Sequence, residues 1–203
     1  MREVVPRDFY LQADAIDLCR QLLGKLLVSK SNNESRTSGL IVETEAYAGP
    51  EDKASHAYNN KLTKRTKSMF QEGGHAYVYL CYGVHALFNI ITNTEQVPHA
   101  ILVRALEPQE GAEVMQTRRA KPKIDRSLTG GPGSLTKALN ITTQDNETNL
   151  VTSNKIWLEE SGIHYQPQDI IESPRVGIAY AEEYVDKPWR FRVKDSQWTS
   201  PAK

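Results

Sequence analysis

Glu43, Glu45 and Tyr47 stand two residues apart in the run IVETEAYAG. An extended chain puts alternate side chains on one face, so all three would project together. A carboxylate beside an aromatic wall is partly desolvated, and such a carboxylate can act as a general base on water. The same alternation also fits an exposed strand face with Glu at every second position. Arg104 lies inside the apolar run ILVRAL. A buried guanidinium needs an anion, because an unpaired buried charge is costly. Glu45 would supply that anion and stay ionised in return. An edge strand with Arg104 turned to solvent fits the pattern too.

The stretch from Ile41 to Asn89 collects further groups of one kind. His56 follows Tyr47 by nine positions, and Tyr77 and Tyr79 alternate in HAYVYL. Tyr82 precedes Gly83, and Asn89 interrupts the apolar run LFNII. Flat rings, a carboxylate and a neutral amide together suit gripping a planar heterocycle and hydrolysing a bond beside it. Taken alone, one of Tyr77 and Tyr79 fits the core and the other an amphipathic surface. Tyr82 is harder to place in a core, and a protruding aromatic beside a glycine is a ready wedge for an unstacked base pair. Asn89, if buried, must be hydrogen-bonded or face a polar ligand.

Other chemistries find little support. Gly130–Ser134 lacks the Lys-Ser/Thr of a triphosphate-binding loop, although its glycines and the helix behind them suit one phosphate. The five His residues show no metal-ligand spacing, so neither a metal nor a cofactor is expected. No nucleophile elbow is present. Cys19 and Cys81 have no paired spacing, which argues against a disulfide framework and for a reducing compartment.

The elements that must position these residues read as a mixture. A chain of 203 residues with 39% hydrophobic content fits one domain over 1–203 and can bury its own core. Residues 2–10 read as a lead-in loop and 11–23 as a helix stopped by Gly24. Residues 25–29 and 39–44 read as strands joined by a polar loop, and 49–52 as a loop leading into a short helical stretch containing His56. Residues 59–67 read as an exposed basic connection. Residues 75–80 and 84–92 flank Tyr82-Gly83 and predict a hairpin with the Tyr at its tip. Residues 100–105 predict a strand, 108–121 a helix and 134–139 another. Residues 156–160, 175–178 and 189–193 predict strands. Without a strict βαβ rhythm this favours α+β, with a mostly antiparallel curved sheet, surrounding helices and a protruding β-hairpin. Neither a secretory signal pattern nor an apolar run of membrane-spanning length is present, which points to the cytoplasm and to no membrane partner.

The blocks VETEAYAGPEDKASHA, YVYLCYGVHALFNI, ILVRALEP, GGPGSLTKALNI and RVGIAYAEEYVDKPWRFRV occur in order between Leu22 and Val193. Together they closely resemble the alkyladenine (3-methyladenine) DNA glycosylase family. The resemblance implies a monomeric, cofactor-free and monofunctional glycosylase that removes alkylated or deaminated purines from double-stranded DNA. Glu45 matches the family's general base, Arg104 a partner in holding the water, and the Val176 carbonyl the third contact to it. Tyr47 matches the aromatic on one face of the flipped base, and His56 and Tyr79 the pair on the other. The His56 backbone amide matches the donor to the adenine edge. Asn89 matches the residue that clashes with the 2-amino group of guanine, and Tyr82 the side chain that fills the gap in the duplex.

Three features depart from the family pattern. Ser134 stands where a GPGKL-like element carries Lys, His85 stands where some members carry an aromatic, and the net charge is zero. Two other functions compete. A damage-binding module would need the rings and no base, and Glu45 argues against it. A hydrolase of free nucleosides would need no wedge, and Tyr82 argues against that.

Overall fold

The two most informative extended stretches of the sequence become the two longest strands, and they pair with each other. The computed structural model describes residues 2–31 and 35–200. Along the chain run α1 (Arg7–Tyr10), α2 (Ala15–Leu22), β1 (Leu26–Ser29), β2 (Thr37–Ala48), β3 (Ala76–Cys81) and β4 (His85–Thr92). Then come β5 (His99–Glu110), α3 (Ala112–Arg119), α4 (Pro132–Ala138), β6 (Ile156–Glu159), β7 (Ile170–Ser173) and β8 (Arg190–Val193). The eight strands form one open α+β sheet in the order β3-β4-β5-β2-β1-β6, with β8 added to β2 and β7 to β8. Every pairing is antiparallel.

β2 forks the sheet. One of its edges follows β5 throughout, and the other is shared between β1 at Thr37–Leu40 and β8 at Glu43–Glu45. The stretch bearing Glu43 and Glu45 is therefore enclosed by strands on both sides. β5 carries one extra residue here: Glu43 pairs with Ala105 and Thr44 with Val103, leaving Arg104 as a bulge. A bulge bends the strand and re-aims its side chain.

The layers over the sheet follow from capping and patterning. Asp14 caps α2 by accepting from the amides of Ile16 and Asp17. Its buried face, Ala15, Leu18, Cys19 and Leu22, lies on β2, where the Thr44 hydroxyl donates to the Cys19 carbonyl at 3.0 Å. Pro132 opens α4, where its missing N–H costs nothing. The Thr136 hydroxyl ties that helix to the Ala86 carbonyl on β4 at 2.7 Å.

The β3–β4 hairpin closes through Tyr82, Gly83 and Val84. Tyr82 and Gly83 take positive φ values of 50° and 70°, and the Val84 amide donates to the Cys81 carbonyl at 3.1 Å. Leu80, Tyr82 and Val84 are all exposed, so the tip stands clear of the body.

Some elements differ from those predicted. The lead-in over 2–10 contains α1, whose Tyr10 is buried, and α2 begins at Ala15, after its cap, rather than at Leu11. The helix predicted from Pro108 begins at Ala112, because β5 continues to Glu110. Pro108 is accommodated opposite Gly39 beside a register shift, and Gly111 at φ 70° makes the break. His56 lies in a series of turns rather than a helix, before the 3-10 turn at Tyr58–Asn60. Residues 175–178 form no strand. Arg175 is buried in an ion pair there, and β8 pairs with β2 on one side and on the other with β7, a strand that sequence patterning missed. Part of the polar loop between β1 and β2 lies outside the described residues.

Candidate active site

A cleft of about 710 Å³ opens between the hairpin, the start of α4 and the 176–180 loop. Tyr47, His56, Tyr77, Tyr79, Asn89, Arg104 and Val176 line it. Glu45 lies just beneath its floor, wholly buried. The Tyr47 hydroxyl donates to Glu45 Oε2 at 2.9 Å, and the Val176 amide donates to Oε1 at 2.8 Å. Arg104 Nη1 is 3.4 Å from the same Oε1. Burial pushes the Glu45 carboxyl up from its ordinary value, against the opposing pull of Arg104, the Val176 amide and the Tyr47 hydroxyl. Val176 thus meets Glu45 through its N–H.

The partner expected for Arg104 is only half the arrangement. Its Nε donates to Glu43 Oε1 at 2.8 Å, a shorter contact than the one to Glu45. Arg190 Nε reaches the same Glu43 oxygen at 2.9 Å. Burial alone would raise the Glu43 carboxyl, but Arg104, the Ser200 amide and Arg190 outweigh it and hold it below the ordinary range.

Aromatic rings form two walls. Tyr47 forms one, and its ring carries the Arg175 guanidinium at 4.8 Å. Arg175 is held by Asp52 through two contacts of 2.5 and 2.9 Å, and it also lies 5.0 Å from the Trp189 ring. His56 and Tyr79 form the other wall, edge to face with centroids 4.7 Å apart, and Tyr77 lies 5.2 Å from Tyr79. Arg65 lies over the Tyr79 ring at 4.7 Å and reaches His56 Nε2 at 3.1 Å. Asn89 is buried on β4, and its Nδ2 donates to the carbonyls of Tyr77 at 3.0 Å and Leu87 at 3.4 Å. Two strand carbonyls lock that amide, so a group reaching it meets a rigid wall.

At the mouth, Tyr82 is 92% exposed and still belongs to the cleft lining. His85 packs on Gly133, where an added Cβ would come within 3.0 Å of the imidazole. Ser134 accepts a hydrogen bond from Arg119 Nη2 at 3.1 Å, so a cation stands beside the position where the resemblance implies Lys.

A model of the family described as methylpurine-DNA glycosylase matches residues 8–197. The chain belongs to that family. Among similar proteins, one from Chlamydia felis is 47% identical, covering 93% of this chain and 95% of its own. One from Natranaerobius thermophilus is 44% identical, covering 94% and 96%. A third, from Bacillus licheniformis, is 44% identical over 98% and 97%. All three are named, provisionally, as 3-methyladenine DNA glycosylases.

Within this DNA glycosylase, the structure gathers Glu45, Tyr47, His56, Tyr79, Asn89, Arg104 and Val176 around one cleft and puts Tyr82 at its rim. Sequence reading did not single out Arg65, Asp52, Arg175, Arg190 or Ser200, nor give Glu43 a role of its own. The one available signal was that Arg175 directly precedes Val176. No helix among the described residues is long and apolar enough to cross a membrane.

Proposed function

We propose that this glycosylase hydrolyses the N-glycosidic bond of damaged purines flipped out of double-stranded DNA, with no strand-nicking lyase step. The substrate class is 3-methyladenine, 7-methylguanine, hypoxanthine and ethenoadenine. The observation that carries this reading is a buried carboxylate, Glu45, tied to Arg104 and the Val176 amide directly under a ring-walled cleft.

The geometry supports one course of events. A base inside a duplex cannot be reached, so it must be extruded and its stacking replaced. Tyr82 stands on a short, positive-φ loop with nothing packed over it, and would fill the gap. The purine enters between Tyr47 and the His56/Tyr79 wall. Locked Asn89 crowds the 2-amino group of guanine and so disfavours the normal base, while the positive charge of 7-methylguanine makes it a better leaving group and a better partner for the Tyr faces. Departure of the base leaves an oxocarbenium-like sugar, which an ionised Glu45 stabilises while it takes a proton from the attacking water. Arg104 and the Val176 backbone orient that water. A Schiff base would require an amine, and no lysine is among the described residues lining the cleft. The protein acts as a monomer on DNA in the cytoplasm, beside the nucleoid in a bacterium, and needs no metal or cofactor.

Release of free base from a duplex with a single hypoxanthine, ethenoadenine or 3-methyladenine tests the reading. The parent should release base, and Glu45→Gln should bind the duplex equally well and release none. Tight binding by the parent without release of any of the three would make it a damage-binding module. A borohydride-trapped enzyme–DNA adduct would overturn the absence of a lyase step.

A further inference from the structure

The charge network under the cleft extends beyond the groups that can touch a substrate. Glu43 is fully buried and is not part of the cleft lining. It nevertheless receives four hydrogen bonds. Arg104 Nε, Arg190 Nε and the Ser200 hydroxyl converge on Oε1 at 2.8, 2.9 and 2.8 Å, and the Ser200 amide reaches Oε2 at 2.6 Å. Arg190 Nη2 also donates to the Ser200 hydroxyl at 3.3 Å.

Arginine binds a carboxylate best side-on, through two parallel N–H groups, with contacts of about 2.7–2.9 Å. Arg104 does not do this with Glu45. Its Nε is committed to Glu43, and only Nη1 faces Glu45, at 3.4 Å. The bulge at Arg104 aims the guanidinium between the two carboxylates. We propose that Glu43 is a positioning residue that draws Arg104 back from Glu45, so that the carboxylate under the cleft is oriented by Arg104 without being neutralised by a full ion pair. The proposal rests on the hydrolytic role given to Glu45 above.

The surroundings of Glu45 fix the sign of the effect. From β2 it faces Glu43 and Tyr47, and from β5 Arg104. The 175–176 loop presents the Val176 amide and the Arg175 guanidinium. Cys19 approaches from α2, its thiol kept protonated by burial. Arg190 pairs opposite on β8. Glu43 is the one other carboxylate in this set, so its charge works with burial to raise Glu45. Arg104, the Val176 amide and Tyr47 work in the other direction. Removing Glu43 takes away a like charge and frees Arg104 to close on Glu45. Both changes favour the ionised base, yet they pair it, so it becomes a weaker base.

The pH dependence of single-turnover base release reads this directly, because release fails as pH falls through the Glu45 pKa. Two variants are measured against the parent: Glu43→Gln, and Glu43→Gln with Arg190→Met, which removes one cation together with the anion. Both should move the acid limb down, the single variant by about one pH unit and the double variant by less, because it also loses a nearby cation, each with a plateau rate at least several-fold lower. Glu43→Asp, which keeps the charge, should return the limb toward the parent position. An acid limb that stays in place or moves up in a folded variant overturns the proposal. Failure of both Gln variants to fold, seen by circular dichroism, overturns it as well, by assigning Glu43 to stability alone. No release by the parent at any pH removes the hydrolytic reading and this one together, whereas release with an unmoved limb removes only this one.

Discussion

At His56 two influences oppose a second proton. Burial is the larger, the Arg65 guanidinium adds to it, and the imidazole pKa falls from 6.5 to about 4. Arg65 can only donate, so His56 Nε2 accepts, and Nδ1 carries the proton toward the Tyr77 hydroxyl, 2.9 Å away. His56 is thus neutral at physiological pH. An unfolded chain takes up this proton first, so stability is lost as pH falls from about 6.5 toward about 4. A histidine NMR titration should show the depressed value, and Arg65→Gln should raise it. Tyr47 gives a second residue-scale expectation. Its hydroxyl donates to Glu45, and loss of a donor to a carboxylate raises its pKa. Tyr47→Phe should therefore move the acid limb of base release upward, opposite to Glu43→Gln. Glu45 and Arg104 were legible in the sequence because a buried cation calls for an anion and the alternation offers one. That Glu43 takes the shorter contact was not. Its other donors, Arg190 and Ser200, lie 147 and 157 positions away, and no local pattern reaches that far.

The hairpin is the element whose sequence and structure agree most closely, since a Tyr-Gly step between two β-rich runs specifies its own turn. Tyr82 makes few contacts within the protein, so Tyr82→Ala should leave the melting temperature unchanged. Replacing stacking on a flipped site is worth about 1–3 kcal/mol per ring, so base release from a paired lesion should slow by roughly tenfold or more. A mismatched or unpaired lesion should slow less, because less stacking is lost on extrusion. Comparing the two substrates separates wedging from simple loss of binding. Elsewhere the reading failed where tertiary contacts override local preference. Pro108 looked like the start of a helix, but β2 offers β5 a partner past that point. The RVGI segment looked like a strand, but the Arg175 side chain is drawn to Asp52 and the Val176 amide to Glu45, which leaves β8 to pair with β7.

Across the whole molecule, acids and bases cancel, and few net phosphate contacts mean a shallow salt dependence. Among the described residues, two cations line the cleft away from Glu45: Arg65, over the Tyr79 ring, and Arg119, hydrogen-bonded to Ser134. Two phosphate neutralisations give a slope of about −2 in a plot of log affinity against log salt. Duplex binding measured between low and physiological salt should follow that shallow slope, and Arg119→Gln should reduce it by about one. The fold class was legible from element types alone. The fork in the sheet was not, because two short strands, β1 and β8, compete for one edge of β2 and the sequence does not say where each ends.

That fork decides where the molecule can breathe. The amides of Thr44 and Glu45 sit on the strand with neighbours on both edges, under α2 and away from every terminus of the sheet. Their deuterium uptake should require global unfolding, and so should be among the slowest in the protein. The amides of Tyr82 and Gly83 at the hairpin tip should exchange within the dead time of the experiment, since the tip stands clear of the body. On the function proposed above, the half that would meet DNA can adapt on every encounter, while the half that would break the bond keeps one shape through all of them.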